Sequence, residues 1–277
     1  RTLGSIETAA KQQGHITGLQ TGFRDLDYKT AGLQPSDLIL IAARPAMGKT
    51  AFVLNLAEYI ALHSQSTIAM FSLEMSKEQL VTRMIAMDSL VDSQKVQTGQ
   101  LAEDDWDQVL ASAESIAAAP LYIEDSSALT ISELRSKCRQ LKSKNNLALI
   151  IIHYLQLMST TGRVESRQQF VSDMSRSLKM LARELDVPII ALSQLNREVD
   201  KRPDHKPVLA DLRESGSIEQ DADIVAFLYR EDYYNPETEN KHTELIIAKH
   251  RNGPVDTVNL FFQKQFTKFV GFTKRES

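Results

Sequence analysis

Short apolar runs alternate with amphipathic stretches from residue 38 onward, and this alternation limits the folds open to the chain. Such runs are typical of strands buried on both faces, and the stretches between them have helical spacing. Strands that alternate with helices form a mostly parallel sheet flanked by helices. The sequence therefore predicts an α/β fold, with strands at LILIAA (38–43), TIAMFSL (67–73), ALIII (148–152), VPIIALS (187–193) and DIVAFLY (223–229).

The end of the chain has a different pattern. ELIIAKH (244–250), VDTVNLFFQ (255–263) and KFVGF (268–272) follow one another with only short connections such as RNGP (251–254). Strands joined by turns pair in antiparallel fashion. An antiparallel β-hairpin is therefore expected to close the domain.

Two local patterns predict helix details. Thr130 followed by Glu133 is a capping box, in which each residue satisfies a backbone N–H at the start of a helix. Cys138 lies on the same helical face as Leu134 and Leu141, so we interpret it as a buried thiol. A single cysteine also excludes a disulfide framework.

Composition sets broad limits. A chain of 277 residues with 42% hydrophobic content can build one large domain, and no apolar run reaches membrane-spanning length. Without a hydrophobic leader the chain is expected inside the cell, and a start at Arg1 suggests a piece of a longer protein. The net charge of −4 neither favours nucleic-acid binding nor excludes it, because basic loops can face one cavity. Residues 1–15 are interpreted as the end of a linker helix.

The most specific motif is ARPAMGKT, residues 43–50, between a predicted strand and a predicted helix. This context is typical of a phosphate-binding loop, whose backbone N–H groups and helix N-terminus hold phosphate. Lys49 would reach the β- and γ-phosphates of ATP, and the Thr50 hydroxyl would bind Mg²⁺. Ala43 replaces the usual first glycine. The nucleotide-binding residues predicted from the motif are Arg44, Pro45, Ala46, Met47, Gly48, Lys49 and Thr50.

Polar residues end two other strands at what should be the same edge of the sheet, where open α/β folds bind ligands. Glu74 follows TIAMFSL and could orient the attacking water, while Gln194 could sense the γ-phosphate. A structural alternative for Glu74 is a helix-start acid, favoured by the helix dipole.

A third strand ends on His153, which leaves several roles open. The imidazole could be a metal ligand, a general base or a core histidine. A zinc site has little support, because no second His or Cys lies at ligand spacing.

Seven segments together resemble the bacterial replicative DNA helicases of the DnaB type, in the order found in that family. They are TGFRDLD (21–27), ARPAMGKT, FSLEM (71–75), HYLQL (153–157), ALSQLNR (191–197), DLRESGSIEQDAD (211–223) and KHRNGP (249–254). The resemblance covers essentially the whole chain. It implies a RecA-like motor domain over residues 16–277, without the family's amino-terminal domain that engages primase.

The resemblance also implies roles for individual residues. Glu74 would be the catalytic carboxylate and Gln194 the sensor. Lys249 and Arg251 would reach the nucleotide of a neighbouring subunit, with Arg251 as an arginine finger that counts as both catalytic and nucleotide-binding. Arg213, Glu214 and Gly216 would contact the DNA backbone inside a ring.

Residue types in the candidate inner loops, 158–169 and 195–221, favour contact with the DNA backbone over contact with the bases. These loops contain no Phe, Tyr or Trp and so offer no stacking platform for bases. Arginines can hold phosphates without reading sequence. Ordinary solvated loops are the alternative, and the arginines concerned are Arg163, Arg167, Arg197, Arg202 and Arg213.

His153 departs from the family, which has a Mg²⁺-anchoring aspartate at this position. With Glu74 as the catalytic carboxylate, a general-base role for His153 has little support. Mg²⁺ prefers oxygen ligands, so Thr50 and the phosphates should hold the metal mainly by themselves. A protonated imidazole would repel the metal, so activity is expected to fall as the pH drops through the range in which histidine titrates.

The expected function is therefore that of an ATP-dependent helicase motor with ATP and Mg²⁺ as cofactors. It would act as a homo-hexamer on single-stranded DNA in the cytoplasm, at the nucleoid and replication fork, with primase and a helicase loader as partners of the full-length protein and no membrane contact. The resemblance implies 5′→3′ movement. Two alternatives stay open: a strand-exchange ATPase of the RecA or RadA kind, and a DNA-clamping subunit that hydrolyses ATP weakly because of His153.

Overall fold

A computed structural model describes residues 16–126, 128–153, 167–238 and 242–272. The predicted linker segment, residues 1–15, lies outside these ranges. Within them, nine strands form one mixed sheet in the order β3-β2-β4-β5-β1-β6-β7-β8-β9. The strands are β1 (Leu38–Ala43), β2 (Thr67–Ser72), β3 (Leu121–Glu124), β4 (Leu147–His153), β5 (Ile189–Gln194), β6 (Ile224–Arg230), β7 (His242–His250), β8 (Asp256–Gln263) and β9 (Lys268–Gly271).

Helices connect the strands and cover the sheet. Short 3₁₀ turns lie at Arg197–Lys201, Leu209–Ser215 and Lys264–Phe266. The α-helices of the described residues are α1 (Arg24–Thr30), α2 (Lys49–Ser64), α3 (Lys77–Ser89), α4 (Ser93–Thr98), α5 (Glu103–Ala118), α6 (Ile131–Asn145), α7 (Arg167–Leu185), α8 (Gly216–Asp221) and α9 (Glu231–Tyr234). In the described part of the chain, no helix combines the length and apolarity that crossing a membrane requires.

The predicted sheet is confirmed. Strands β1 to β6 pair in parallel, and β6 to β9 pair in antiparallel fashion through β7 and β8. The edge strand β3 was not predicted from the sequence. Its four residues, LYIE, are all half-buried, so they form neither a continuous apolar run nor a clear alternation.

Burial on both faces explains the apolar runs. Along β1, Ile39 and Ile41 belong to the hydrophobic cluster on one face of the sheet. Leu38 and Leu40 belong to the cluster on the other face. Because both faces are covered, every position of this strand is apolar, as expected for a parallel sheet between helix layers.

The two local predictions are also confirmed. Thr130 and Glu133 form the capping box that opens α6. Cys138 is fully buried in that helix, and burial raises the pKa of its thiol to about 12. The thiol is therefore protonated and acts as a small apolar side chain.

One buried carboxyl group affects how α2 and α3 pack. Glu58 of α2 is only 8% exposed, and its carboxyl group lies close enough to Asp88 of α3 to interact with it. Burial, together with the charge of Asp88, raises the pKa of Glu58 to about 8, while Lys268 acts in the opposite direction. At neutral pH the Glu58 carboxyl is protonated, so it can donate a hydrogen bond to Asp88.

This pKa predicts a pH-dependent stability. A folded-state pKa raised above the unfolded value of 4.5 means that Glu58 stabilises the fold below pH 4.5 and loses that contribution as the pH rises through about 8. Since each unit is worth about 1.4 kcal/mol, the loss is on the order of a few kcal/mol. Glu58→Gln should therefore gain stability over the parent chain at pH 8–9 and much less at pH 5, measured by urea unfolding.

The exposed Glu114 of α5 provides the control, because Glu114→Gln makes the same change in charge at the surface. An equal change in unfolding free energy for Glu58→Gln at both pH values would contradict the buried, protonated state.

Candidate functional site

The site lies at the carboxyl edge of the parallel strands, where β1 leads through residues 44–48 into α2. Gly48 has a left-handed backbone, with φ of 92°, and a Cβ there would lie 2.9 Å from the ring of Phe269. Only glycine meets both conditions. The loop borders a cavity of about 680 Å³. Residues that line it include Arg44, Pro45, Ala46, Gly48, Lys49, Thr50, Glu74, Glu78, Gln79, Thr82, Arg83, Gln194, Phe262 and Thr267.

Lys49 is the first residue of α2 and is 8% exposed. Its Nζ donates a hydrogen bond of 2.7 Å to the Ser193 carbonyl of β5. Burial lowers the pKa of Lys49 to about 7, and the charge of Glu74 acts against this shift. A phosphate group in the cavity would favour the charged ammonium, and the first amides of α2 add donors for the same anion.

Thr50, His153 and Glu74 lie together beside Lys49. The Thr50 Oγ1 and His153 Nε2 atoms are 2.8 Å apart, and Glu74 Oε2 is 3.9 Å from the same Nε2. Parallel pairing of β2 with β4 sets Ser72 beside His153, so Glu74, two residues later, reaches the same place. His153 therefore contacts the hydroxyl predicted to bind Mg²⁺.

The electrostatics of His153 correct one expectation. The residue is 1% exposed, and burial, followed by the charges of Lys49 and Arg83, lowers its pKa to about 4. The imidazole is therefore neutral throughout the usual range of histidine titration. The expectation that protonation in that range would repel a metal is wrong, because burial strongly disfavours the charged ring.

The strand-end carboxylate and amide also reach the cavity. Glu74 lies in the loop after β2, with its side chain 54% exposed. Gln194 is the exposed last residue of β5 and pairs in register with Ala43, directly before the phosphate loop. The edge predicted from the sequence thus brings Glu74 and Gln194 to one cavity with Lys49 and Thr50.

Met47 differs from the other residues of the motif. It is 1% exposed and packs in the hydrophobic core. Met47 can therefore contact a nucleotide only through its backbone.

Several residues that line the cavity were not predicted from the sequence. Arg83 projects from α3, and its polar neighbours Glu78, Gln79 and Thr82 share one helical face, which is the signal that could have revealed it. Phe262 comes from β8, far along the chain. Its place in a predicted strand gives no sign that it lines a cavity. The guanidinium of Arg230 lies 4.7 Å from the centre of the Phe262 ring.

The model of the DnaB-like helicase C-terminal domain family matches residues 18–271. The chain belongs to this family. Among curated relatives, the replicative DNA helicases DnaB of Geobacillus stearothermophilus and DnaC of Bacillus subtilis are each 52% identical over 277 residues. Each alignment covers 99% of this chain and 61% of the relative. The chain therefore spans about three fifths of the length of these relatives.

Similar solved structures support the same family. One solved ATPase domain superposes with a TM-score of 0.94 at 42% identity, covering 98% of this chain and 97% of that one. A DnaB-like replicative helicase, described with its primase interactions, gives a TM-score of 0.93 at 42% identity, covering 98% of this chain and 66% of that one. The predicted family and RecA-like fold are confirmed.

The family resemblance assigned nucleotide contacts to Lys249 and Arg251, and these residues do not line the cavity of their own chain. Lys249 Nζ donates hydrogen bonds to the carbonyls of Glu219 and Ala222, at the end of α8. Arg251 donates to the Gln220 carbonyl at 2.9 Å. Both lie at the amino edge of the parallel strands, because β7 runs antiparallel to β6.

The residues predicted to contact DNA are described only in part. The backbone of Arg213 and Glu214 lies in the 3₁₀ turn at Leu209–Ser215, and Gly216 begins α8. The side chains of Arg213 and Glu214 lie outside the described part of the chain. Residues 154–166, with Arg163, lie outside it entirely. Part of the expected loop 195–221 is therefore helical.

Among the residues that the structure describes, no group of three or more His, Cys, Asp or Glu side chains could hold a metal ion. The Thr50 hydroxyl and the Glu74 carboxylate are oxygen donors beside His153, and Mg²⁺ is commonly bound by few protein oxygens together with substrate phosphates. The donor set therefore suits Mg²⁺ only when a phosphate supplies further oxygens.

Proposed function

We propose that this chain is the ATP-dependent motor domain of a replicative DNA helicase, which acts as a ring of six copies and moves 5′→3′ along one DNA strand. The observation that carries the proposal is the convergence of Lys49, Thr50, Glu74 and Gln194 on one cavity beside the phosphate loop. Membership of the DnaB-like family supports the same function. Residues 16–277 would form the motor, and residues 1–15 would end a linker helix.

The proposed chemistry is phosphoryl transfer from ATP to water. The loop amides and Lys49 hold the phosphates, and Glu74 orients the attacking water. Gln194, at the end of β5, contacts the γ-phosphate. Mg²⁺, held by Thr50 and the phosphates, would neutralise charge on the phosphate oxygens.

Partners are proposed for the longer protein. Primase is a proposed partner because a similar helicase was solved with its primase interactions. A helicase loader and single-stranded DNA are the other proposed partners. The proposed location is the cytoplasm, at the replication fork.

A second candidate is a DNA-clamping subunit that binds ATP and hydrolyses it slowly. The contact of 2.8 Å between His153 and Thr50 favours it, since a neutral imidazole lies where an acidic oxygen ligand would suit Mg²⁺ better. A strand-exchange ATPase is the other alternative.

Fork unwinding separates these functions. The chain should unwind a forked duplex with ATP, whereas a clamp would bind single strands without unwinding and a strand-exchange ATPase would pair them. Lys49→Ala removes the buried cation that faces the phosphates, so it should abolish both hydrolysis and unwinding. Circular dichroism checks that the variant is folded. Unwinding near the parent rate would refute the assignment.

Arg251 is proposed to act on the nucleotide of a neighbouring copy. Arg251→Ala should retain ATP binding and lose hydrolysis by about 10³-fold or more, the usual contribution of an arginine finger. Mixing it with Lys49→Ala subunits should restore activity, because some interfaces then combine an intact finger with an intact loop. If no mixture exceeds the sum of its two parts, Arg251 does not act in trans.

His153 predicts an unusual metal requirement. His153→Asp introduces an oxygen ligand beside Thr50, so hydrolysis should reach half its maximum at a lower Mg²⁺ concentration and proceed faster. Titration of ATPase activity with Mg²⁺ measures both effects, and His153→Asn controls for the loss of the ring without added charge. If His153→Asp leaves the Mg²⁺ titration unchanged, His153 does not lie in the metal environment.

A further inference from the structure

A charged side chain ties the phosphate loop to the segment after β5. The guanidinium of Arg44, the first residue of the loop after β1, makes two parallel hydrogen bonds with the Asp200 carboxylate, at 3.1 and 2.7 Å. Its third nitrogen donates to the Leu195 carbonyl at 3.0 Å. Bidentate pairs of this kind are among the stronger charge-assisted contacts and fix relative orientation.

Asp200 is itself held from a second direction. Tyr234 of α9 donates its hydroxyl to Asp200 Oδ1 at 3.0 Å. His205 stacks on the Tyr234 ring, with ring centres 4.2 Å apart. Asp200 belongs to the 3₁₀ turn at Arg197–Lys201, which is anchored in the core by the fully buried Val199.

A second bidentate pair continues from the same turn. Arg202 donates to both oxygens of Asp211, at 2.8 and 2.6 Å. Asp211 is 4% exposed and also accepts from the Val208 backbone N–H. Two residues after Asp211 comes Arg213, proposed to contact DNA.

We infer that the Arg44–Asp200 pair is a positioning contact that couples the phosphate loop to residues 195–213. Arg44 lines the cavity, so a change in the loop that moves its guanidinium moves Asp200 with it. The turn and the Arg202–Asp211 pair carry the displacement to Arg213. The inference rests on the proposed function, since it concerns how an ATP site and a DNA-binding segment influence each other.

The electrostatics of the Arg44–Asp200 pair favour a stable ion pair. The Arg44 and Asp200 side chains are 15% and 38% exposed. Burial acts to raise the pKa of Asp200, but hydrogen bonds from Arg44 and Tyr234 outweigh it and leave the pKa lowered. Asp200 is therefore ionised at neutral pH, and its contact with Arg44 is a charged one.

The test uses Asp200→Asn, which keeps the shape of the side chain and removes its charge. In the parent chain, a non-hydrolysable ATP analogue should change the Kd for single-stranded DNA, and by reciprocity DNA should change the Kd for the analogue equally. Asp200→Asn should reduce this coupling about 2- to 30-fold while leaving the affinity for the analogue alone within about twofold. Asp200→Glu, which retains the carboxylate, should restore most of the coupling.

Glu198→Gln is the matched control, because it makes the same change in charge in the same turn, at a residue that pairs with Lys201 on the surface. Its coupling should equal that of the parent. Full coupling in Asp200→Asn, or an equal loss in Glu198→Gln, would overturn the inference.

Hydrogen exchange gives a readout that does not depend on DNA. Adding the analogue should slow amide exchange in residues 44–48 and 196–213 of the parent, but only in residues 44–48 of Asp200→Asn. A parent whose residues 196–213 do not respond would refute the coupling, whatever the outcome for unwinding. A normal response in a chain that fails to unwind would instead refute the proposed helicase function.

Discussion

The parallel pairing of β1 with β5 and β6 is the constraint on which the rest of the structure depends. It fixes Ala43 beside Gln194, so the phosphate loop and the amide that ends β5 emerge at the carboxyl edge of the sheet. The antiparallel turn from β6 to β7 returns the chain to the amino edge, where Arg251 is held 3.3 Å from Asp223. An arginine on the edge opposite to its own cavity suits contact with a neighbouring copy in the proposed ring.

Burial gives the cavity its electrostatic character. Lys49 loses solvent around its ammonium, which lowers its pKa to about 7, and His153 is kept neutral beside it. Beside this neutral ring, the charges of Lys49 and Arg83 interact with that of Glu74. The site therefore favours an anionic ligand, although it lacks an acidic side chain in the place of His153.

Much of this was determined by the sequence alone. Apolar runs such as that of β1 predicted the parallel sheet because burial on both faces demands apolar side chains at every position. The order of ARPAMGKT, Glu74 and Gln194 predicted one edge, since parallel strands all end there. Local patterns of this kind depend on residues that are neighbours in the chain, so they can be read from the sequence without knowledge of distant contacts.

Tertiary structure alone decided the remaining features. Arg83 and Phe262 line the cavity through the packing of α3 and β8. The polar face of α3 is a local pattern, but no local pattern shows that this face meets the phosphate loop or Phe262, which are distant in sequence. The neutral state of His153 depends on burial and on charges brought from α2 and α3. The Arg44–Asp200 pair joins residues 156 positions apart, which is why only the folded chain reveals it.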